Sequence, residues 1–287
     1  MGSSDTSDPD AVRSEILARW ERAAPGWGRR AERWRAFAMP ASAWMIEHLE
    51  LQPGQRVLEL AAGPGDTGFM AAELVSPGGA LITSDASDAM LEVARERARE
   101  LGVENVEFKR LELEWIDMPT ASVDAVLCRW GVMLTVDPAA AIQEMRRILR
   151  PGGRLALAVW ALPEHNQWAT IPDRAMVELG HAPVPDPAAP GMFSLSAPDV
   201  LQELLEAAGF VDVVVEPLEL PHASMTVDEQ VEEKLDLSRV FADIYDGLSH
   251  DERAAVKAKI RELAEPFVSS DGLITLPARA LVAAAEA

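Results

Sequence analysis

The stretch VLELAAGPGDTG, residues 57–68, joins a short apolar run to a turn rich in glycine. Gly63, Gly65 and Gly68 have the G-x-G-x-x-G spacing of a turn that leaves a strand and opens a helix. Glycines at such a turn let the chain bend tightly and let its backbone approach a ligand. Because many strand-to-helix turns are rich in glycine for packing reasons alone, the spacing leaves both a nucleotide ligand and a packing role open.

The chain around this turn alternates between strand-like and helix-like segments. The strand-like segments are residues 56–61, 80–85, 106–110, 123–130 and 154–160. The helix-like segments between them are residues 66–75, 88–101 and 138–149. Together with two later strands, this alternation predicts an α/β fold with a doubly wound, mostly parallel, seven-stranded sheet and helices on both faces. Ligands of such sheets lie at the carboxyl ends of the strands.

The remaining segments divide the chain into three parts. Residues 1–10 are polar and predict a disordered terminus, and residues 11–52 predict a helical lid. The lid should contain two or three short helices, because Pro25-Gly26 and Pro40 interrupt the pattern. Residues 53–287 form the main domain. Its later segments are a loose region at 161–198, a helix at 199–208, a strand at 210–220, amphipathic helices at 227–245 and 250–267, and a closing strand at 273–285. Residues of about 222–268 therefore form a helical insertion before the last strand.

The composition restricts the classes of partner. The chain has 287 residues, with 26 basic and 47 acidic side chains and a formal net charge of -21. This charge repels phosphate backbones and anionic membrane surfaces, so we expect no nucleic-acid partner. No apolar run reaches the ~20 residues of a membrane span, and the first residues do not resemble a signal peptide. We therefore expect a cytoplasmic protein without stable membrane insertion, and its oligomeric state, monomer or homodimer, stays open.

The chain has one cysteine, Cys128. A single thiol excludes an internal disulfide and a CxxC zinc site, and we predict no metal centre.

Two carboxylates near the glycine turn bear on the identity of the ligand. Asp85 ends the second strand, 22 positions after Gly63, where a carboxylate can accept both hydroxyls of a ribose. It could equally cap the next helix beside Ser87. Glu59 lies just before the turn. A carboxylate there would repel the pyrophosphate of NAD, whereas the α-ammonium and sulfonium of S-adenosylmethionine are cationic.

This sequence lacks the catalytic pair of the short-chain dehydrogenases, a class of hydride-transfer enzymes. Tyr245 is the single tyrosine, and Ser249 stands four residues later where the Tyr-x-x-x-Lys pattern needs lysine. An NAD-dependent oxidoreductase nevertheless stays open as an alternative, as does a non-catalytic module that binds the cofactor or a protein.

The sequence resembles the class I S-adenosylmethionine-dependent methyltransferases, the broad group that includes ubiquinone and menaquinone methyltransferases and many small-molecule enzymes. The resemblance covers residues 55–160 well and the flanks poorly. The similar motifs are VLELAAGPGDTG, LITSDASDAML at 81–91, SVDAVLCRWGVML at 122–134 and EMRRILRPGGRLALAVW at 144–160. The resemblance implies a Rossmann-like methyltransferase fold, S-adenosylmethionine as cofactor and a small, apolar or aromatic acceptor that is methylated at oxygen, carbon or nitrogen.

The resemblance also implies a set of cofactor-binding residues. Gly63 and Gly65 would support the methionine and ribose, and Ala61 replaces a glycine that is usual in the family. Asp85 would bind the ribose and Glu59 the ammonium group. The other residues in this set are Ala86, Met90, Glu112, Leu113, Arg129, Trp130 and Trp27. Glu112 would bind the adenine amino group and Leu113 would offer its backbone N–H to the ring, with Glu114 as the alternative if the register differs. Met90 and Trp115 would cover the adenine, although both could be core residues.

The acceptor site should be built from the segments that match the family poorly. These are the N-terminal helices with Trp20, Trp27 and Trp34, the loop at 165–192 and the helical insertion at 227–267. Arg129 and Trp130 would face the methionine carboxylate or the acceptor, and Trp27 would cover the cofactor from the lid. If the acceptor is a hydroxyl, His165 is the histidine best placed to act as a general base, because it follows the fifth strand. An exposed loop position is the alternative for His165, and His222 is a second, weaker candidate.

Overall fold

A computed structural model describes residues 8–186, 189–221 and 223–287. Seven strands form one sheet in the order β3-β2-β1-β4-β5-β7-β6. They are β1 Arg56–Leu60, β2 Ala80–Asp85, β3 Val106–Arg110, β4 Val123–Arg129, β5 Leu149–Trp160, β6 Val211–Glu219 and β7 Arg279–Glu286. The first five strands are parallel, and β7 is antiparallel to β5 and β6, between which it lies. The predicted α/β fold with a mostly parallel sheet is confirmed.

Nine α-helices flank the strands within the described residues. They are α1 Pro9–His48, α2 Asp66–Val75, α3 Asp88–Leu101, α4 Pro138–Ile148, α5 Gln167–Glu178, α6 Pro198–Ala207, α7 Val227–Leu237, α8 Arg239–Asp246 and α9 His250–Leu263. Local sequence fixes several of their ends. The Ser87 side chain accepts a hydrogen bond from the Met90 N–H to begin α3, and Gly102 ends it in the left-handed conformation. None of these helices is long and apolar enough to span a membrane.

The N-terminal segment is one helix instead of two or three. Pro25 and Pro40 both lie inside α1. Gly26 allows α1 to pack closely against α7, because a Cβ at this position would lie 2.0 Å from the Asp236 backbone oxygen. The predicted disorder of residues 1–10 is wrong for residues 8–10, because Asp8 caps α1 and Pro9 begins it. Residues 1–7 lie outside the described residues.

Three later predictions need correction. The region 161–198 contains α5, whose face with Trp168, Ile171 and Met176 is buried. The helix expected at 227–245 is two helices, because Ser238 ends α7 and its side chain accepts from the Phe241 N–H to begin α8. The final strand begins at Arg279, whereas Ile274 pairs with Met225 and Val268 in isolated bridges. The insertion before the last strand is therefore three helices, α7 to α9.

The turn after β1 contains a residue in the left-handed region that is not glycine. Ala61 has φ 49°, a conformation that costs an L-residue about 1–2 kcal/mol. Its methyl group fits because Gly131, after β4, has no side chain. A Cβ on Gly131 would lie 2.4 Å from the Ala61 Cβ and 2.8 Å from the Cys128 Sγ. The two turns at the centre of the sheet are thus matched in shape.

Substitution of Gly131 by alanine should destabilise the fold, because the added methyl collides with Ala61. We expect Gly131→Ala to lower the free energy of unfolding by about 1–3 kcal/mol, the usual cost of overpacking. The double variant with Ala61→Gly should recover part of this loss, since it removes the collision and the left-handed alanine. Urea denaturation of the four proteins measures both effects. Gly191→Ala, where the nearest atom would lie 3.9 Å from the new Cβ, is the control. Additive effects of the two substitutions would contradict the proposed match.

Candidate active site

A cavity of about 1240 Å³ lies at the carboxyl ends of the central strands. The turns after β1 to β4 form one end of it. The other end is formed by the helices α1, α5 and α7 and by residues 182–186 and 189–194. Ligand pockets of proteins usually measure about 300–1,000 Å³, so this cavity has room for two ligands.

Most of the predicted site residues meet at this cavity. Ten of them border it: Trp27, Ala61, Gly63, Asp85, Ala86, Met90, Glu112, Leu113, Arg129 and Trp130. The turns after four adjacent strands therefore converge as the sheet topology predicts. No described atom lies within 4 Å of where a Gly63 Cβ would be, so the backbone there is open to a ligand.

The Asp85 carboxylate joins two of these turns. Its Oδ2 accepts a hydrogen bond from the Gly63 N–H at 3.0 Å, and its Oδ1 accepts from the Ser87 N–H at 2.9 Å. Burial raises the pKa of Asp85 to about 6, although the two N–H groups act in the opposite direction. A carboxylate has about four lone-pair sites, so each oxygen can accept a further hydrogen bond from a ligand. The capping role and the ligand role are thus compatible.

The neighbouring carboxylates differ in what they already bind. Glu114 accepts hydrogen bonds from the backbone N–H groups of Val136 and Asp137 and pairs with Arg13 of α1. Within the described ranges, no hydrogen bond engages the side chain of Glu112. Glu112 is therefore free to bind a ligand amino group, whereas Glu114 holds α1 against the turn.

Arg129 lies at the end of β4 and keeps one donor unused. Its Nε donates to Thr67 Oγ1 at 2.9 Å, and its guanidinium carbon lies 4.6 Å from the centre of a Trp130 ring. Its Nη1 is buried and has no partner among the described residues. Burial lowers the pKa of Arg129, while Asp66 and Glu59 act to raise it. A buried guanidinium with a free donor is suited to an anionic ligand group.

Most tryptophans of the chain border the cavity. Of eight tryptophans, all within the described residues, seven border it: Trp20, Trp27, Trp34, Trp115, Trp130, Trp160 and Trp168. The Trp130 and Trp160 rings stack at 4.3 Å with an interplanar angle of 11°. Trp34 lies 5.5 Å from Trp168 and 5.1 Å from Trp27 between ring centres. Ring contacts join six of the seven into one continuous aromatic wall, whereas Trp115 is exposed.

Comparison with known proteins agrees with this arrangement. A family described as "Methyltransferase domain" matches residues 51–179. The ubiquinone/menaquinone biosynthesis C-methyltransferase UbiE of Pasteurella multocida is 30% identical over 190 residues, covering 63% of this chain and 68% of that protein. UbiE of Shewanella sediminis is 34% identical over 129 residues, covering 45% of this chain and about half, 51%, of that protein.

The solved structure of YcgJ from Bacillus subtilis is similar in fold. It gives a TM-score of 0.58 at 22% identity and covers 86% of this chain and 98% of that one. The chain belongs to the class I S-adenosylmethionine-dependent methyltransferases.

The residues of this methyltransferase fit its cofactor, S-adenosylmethionine, at the turn end of the cavity. Asp85 has lone pairs for ribose hydroxyls, and among the residues that the structure describes Glu112 accepts no hydrogen bond and the buried Nη1 of Arg129 has no partner. These three groups match the hydroxyl, amino and carboxylate functions of the cofactor in chemistry and in sign of charge.

Glu59 does not border the cavity of the methyltransferase, contrary to the prediction. Its Oε1 accepts from the Gly68 N–H at 2.8 Å and its Oε2 from Thr83 Oγ1 at 3.2 Å, and the side chain lies between β1, β2 and α2. Burial raises the pKa of Glu59 to about 8, against the opposing effect of the Gly68 N–H. The carboxylate anchors the start of α2, and this occupies the oxygens that were expected to bind an ammonium group.

Gly65 and His165 also lie outside the cavity wall. Gly65 has φ 85°, and a Cβ there would lie 2.6 Å from the Phe69 ring, so this glycine serves the turn and its packing. His165 ends a short 3-10 helix at Pro163–His165 and is half-buried, while Leu162 and Pro163 of the same loop reach the cavity. The described cavity wall therefore does not include the histidine that was predicted as a general base. His222 lies outside the described residues.

Several cavity residues were missed by the sequence analysis. The insertion supplies Gln230, Glu233 and Lys234 from α7, and α1 supplies Arg13. Trp160 and Trp168 were also missed, although Trp160 ends a central strand, which is a position that signals a ligand site in this type of sheet. The insertion that contains α7 was expected to line the acceptor site, but its individual residues were not named, because the face that α7 turns to the cavity depends on how the insertion folds back over the sheet.

Glu59→Gln should preserve the fold and the cofactor site, because the amide still accepts from the Gly68 N–H. In the wild type, the folded chain keeps a proton on Glu59 up to a pKa of about 8, whereas the ordinary value is 4.5. Because the folded state binds this proton more tightly than the unfolded state, the contribution of Glu59 to the free energy of unfolding is highest at low pH and falls as pH rises toward 8. We expect Glu59→Gln to become progressively more stable than the wild type between pH 5 and pH 8, as measured by urea denaturation.

The same variant separates the anchoring role from a ligand role. Its affinity for S-adenosylhomocysteine, measured by calorimetry, should stay within about threefold of the wild type, a change below 1 kcal/mol. A loss of more than about tenfold with an intact fold would show that Glu59 acts on the cofactor after all.

Cofactor affinity should depend on the protonation of Asp85. Only the carboxylate can accept from the ribose in addition to the Gly63 and Ser87 N–H groups, and its pKa is raised to about 6. The affinity for S-adenosylhomocysteine should be constant above pH 7 and should fall by up to about tenfold per pH unit below 6. Asp85→Asn should bind at least about tenfold more weakly at pH 7.5, with little pH dependence, because a charge-assisted hydrogen bond is lost. Calorimetry between pH 5 and 7.5 measures the affinities of the wild type and of Asp85→Asn. A wild-type affinity that does not change with pH would contradict the role of Asp85 in binding the ribose.

Proposed function

We propose that this methyltransferase transfers a methyl group to a small, planar aromatic acceptor held in the tryptophan-lined end of its cavity. The observation that carries the proposal is the aromatic wall formed by six tryptophans, Trp20, Trp27, Trp34, Trp130, Trp160 and Trp168. Aromatic side chains bind flat apolar molecules through stacked and edge contacts, each pair contributing about 0.5–1.5 kcal/mol beyond area burial. The volume of about 1240 Å³ supports a second ligand beside the cofactor.

We assign the cofactor contacts residue by residue. Asp85 binds the ribose hydroxyls beside the open backbone of Gly63, Glu112 binds the adenine amino group, and the Leu113 backbone N–H faces the adenine ring. Arg129 binds the methionine carboxylate through Nη1, which lacks a partner within the described residues. The remaining contacts are apolar and come from Ala61, Ala86, Met90, Trp27 and Trp130.

Glu59 and Gly65 act indirectly in this assignment. Both hold the turn that carries Gly63, and neither reaches the cavity. Met90 is buried against Ala23 and Ala24 of α1, so it also joins the lid to the cofactor site.

The chain contributes alignment and exclusion of water to the reaction. S-adenosylmethionine supplies an electrophilic methyl group on its sulfonium. Correct positioning of two reactants is worth up to about 7–11 kcal/mol of the barrier. The lid helix α1 closes the cavity through Trp20, Trp27 and Trp34, which removes water from the reacting atoms. Of the described histidines, none borders the cavity, so the proposal assigns no general base and leaves oxygen, carbon and nitrogen acceptors open.

The proposed partner is a small molecule in the cytoplasm. The net charge of -21 opposes binding to nucleic acids. Cys128 is buried and unpaired, which suits a reducing compartment.

Calorimetry with S-adenosylhomocysteine and with NADH tests the cofactor and the two alternative functions. We expect S-adenosylhomocysteine to bind at least about 100-fold more tightly, because the carboxylates of Asp85 and Glu112 oppose a pyrophosphate and leave Arg129 as the nearby cation. Asp85→Ala should remove most of this affinity while the thermal unfolding transition stays cooperative. Binding of NADH alone would refute the methyltransferase proposal. Binding without any methyl transfer from S-adenosylmethionine across a panel of aromatic alcohols, amines and carbon acids would favour a non-catalytic module.

A further inference from the structure

Gln230 is a buried polar side chain on α7 whose carbonyl oxygen has no partner. It is 3% exposed and borders the cavity. Its Nε2 donates to the backbone oxygen of Trp168 at 2.9 Å. Its Oε1 is buried and accepts no hydrogen bond from the residues that the structure describes. If the Gln230 amide were flipped, its Oε1 would face the Trp168 backbone oxygen, and two acceptors would repel each other. The contact with Trp168 therefore identifies Oε1 as the free acceptor.

This arrangement is costly in the absence of a ligand. An unpaired buried carbonyl loses its hydrogen bonds to water without replacement, whereas methionine or leucine at this position would fill similar space without an unmet acceptor. The neighbouring wall is strongly apolar. A glutamine here is therefore best explained by a hydrogen-bond donor that arrives with the ligand.

Two unpaired donors lie in the same wall. The indole Nε1 atoms of Trp34 and Trp130 are buried, and neither has a partner among the described residues. By contrast, Trp27 donates to the Leu237 backbone oxygen at 3.3 Å and Trp168 to Asn166 Oδ1 at 3.2 Å. The Trp34 ring lies 5.5 Å from Trp168, whose backbone oxygen holds Gln230, and 5.8 Å from Trp130. The wall thus combines one free acceptor with two free donors.

We propose that Gln230 is a specificity-determining residue, and that the methyl acceptor is a planar aromatic molecule bearing an O–H or N–H group that donates to Gln230 Oε1. The oxygen of a phenol both donates and accepts, so it can also accept from an indole N–H of the same wall. Phenols, hydroxylated heteroaromatics and aromatic amines meet this requirement, whereas their methyl ethers do not. The inference rests on the proposed function, because it concerns the acceptor of that reaction.

The experiment compares two probes that share the naphthalene ring and its oxygen, one with an O–H donor and one with a methyl group in place of that hydrogen. The full-length protein is saturated with S-adenosylhomocysteine at pH 7.5, and 1-naphthol and 1-methoxynaphthalene are titrated by calorimetry. We expect 1-naphthol to bind about 5- to 10-fold more tightly, the factor that one net hydrogen bond supplies. In Gln230→Met, the ratio of the two affinities should fall to about one through weaker binding of 1-naphthol, with 1-methoxynaphthalene changed by less than about twofold.

Gln167 provides a matched control. Its Oε1 is also buried and unpaired within the described residues, but Gln167 does not border the cavity. Gln167→Met should therefore keep the wild-type ratio, whereas a general effect of losing a buried amide would change both variants alike.

Two outcomes overturn the inference. One is equal binding of the two probes to the wild type, a result that does not depend on whether any variant folds. The other is a folded Gln230→Met protein that keeps the preference for 1-naphthol. Failure of S-adenosylhomocysteine to bind the wild type would instead refute the proposed function, so the two failures are distinguishable.

Discussion

The buried carboxylate of Glu59 connects β1, β2 and α2, and the candidate cofactor site depends on the turn between these elements. It accepts hydrogen bonds from α2 through the Gly68 N–H and from β2 through Thr83, and it projects from β1. The turn from Ala61 to Gly65 lies between these anchor points, so its left-handed residues are held where the strand ends. The Asp85 carboxylate then connects this turn to the start of α3 through Gly63 and Ser87. Two acidic side chains thus set the geometry of two adjacent turns.

A second layer is built from indole rings. The central strands contribute Trp130 and Trp160, α1 contributes Trp34, and α5 contributes Trp168, so elements far apart in sequence share one aromatic surface. Each element would otherwise expose a large apolar side chain to water, and their mutual packing removes this cost. Among the described residues, the same packing leaves the indole N–H groups of Trp34 and Trp130 and the amide oxygen of Gln230 without partners, which is the basis of the proposed polar selectivity of the wall.

The sheet was predictable because β1, β2 and β4 are short apolar runs separated by turns, and Asp85 and Gly63 followed from strand ends and spacing. The side of the sheet on which Glu59 lies was not predictable, because β1 is buried on both faces and its sequence has no alternation between polar and apolar residues. The break at Pro25-Gly26 was misjudged for a different reason. Gly26 permits contact with Asp236 in α7, a partner 210 residues away, and local sequence rules contain no information about it. The positions of Gln230 and Glu233 at the cavity follow from that same contact.

The continuous helix α1 extends for 40 residues, or about 60 Å. In its first half, the Glu21 carboxylate accepts hydrogen bonds from the Asp88 and Ala89 N–H groups at the start of α3, close to the proposed ribose contact of Asp85. Further along, Arg30 and Arg33 form ion pairs with Asp236 and Glu233 of α7, which borders the proposed acceptor end of the cavity. A displacement of α1 would therefore disturb its contacts with α3 and with α7 together. One helix thus covers both ends of the cavity.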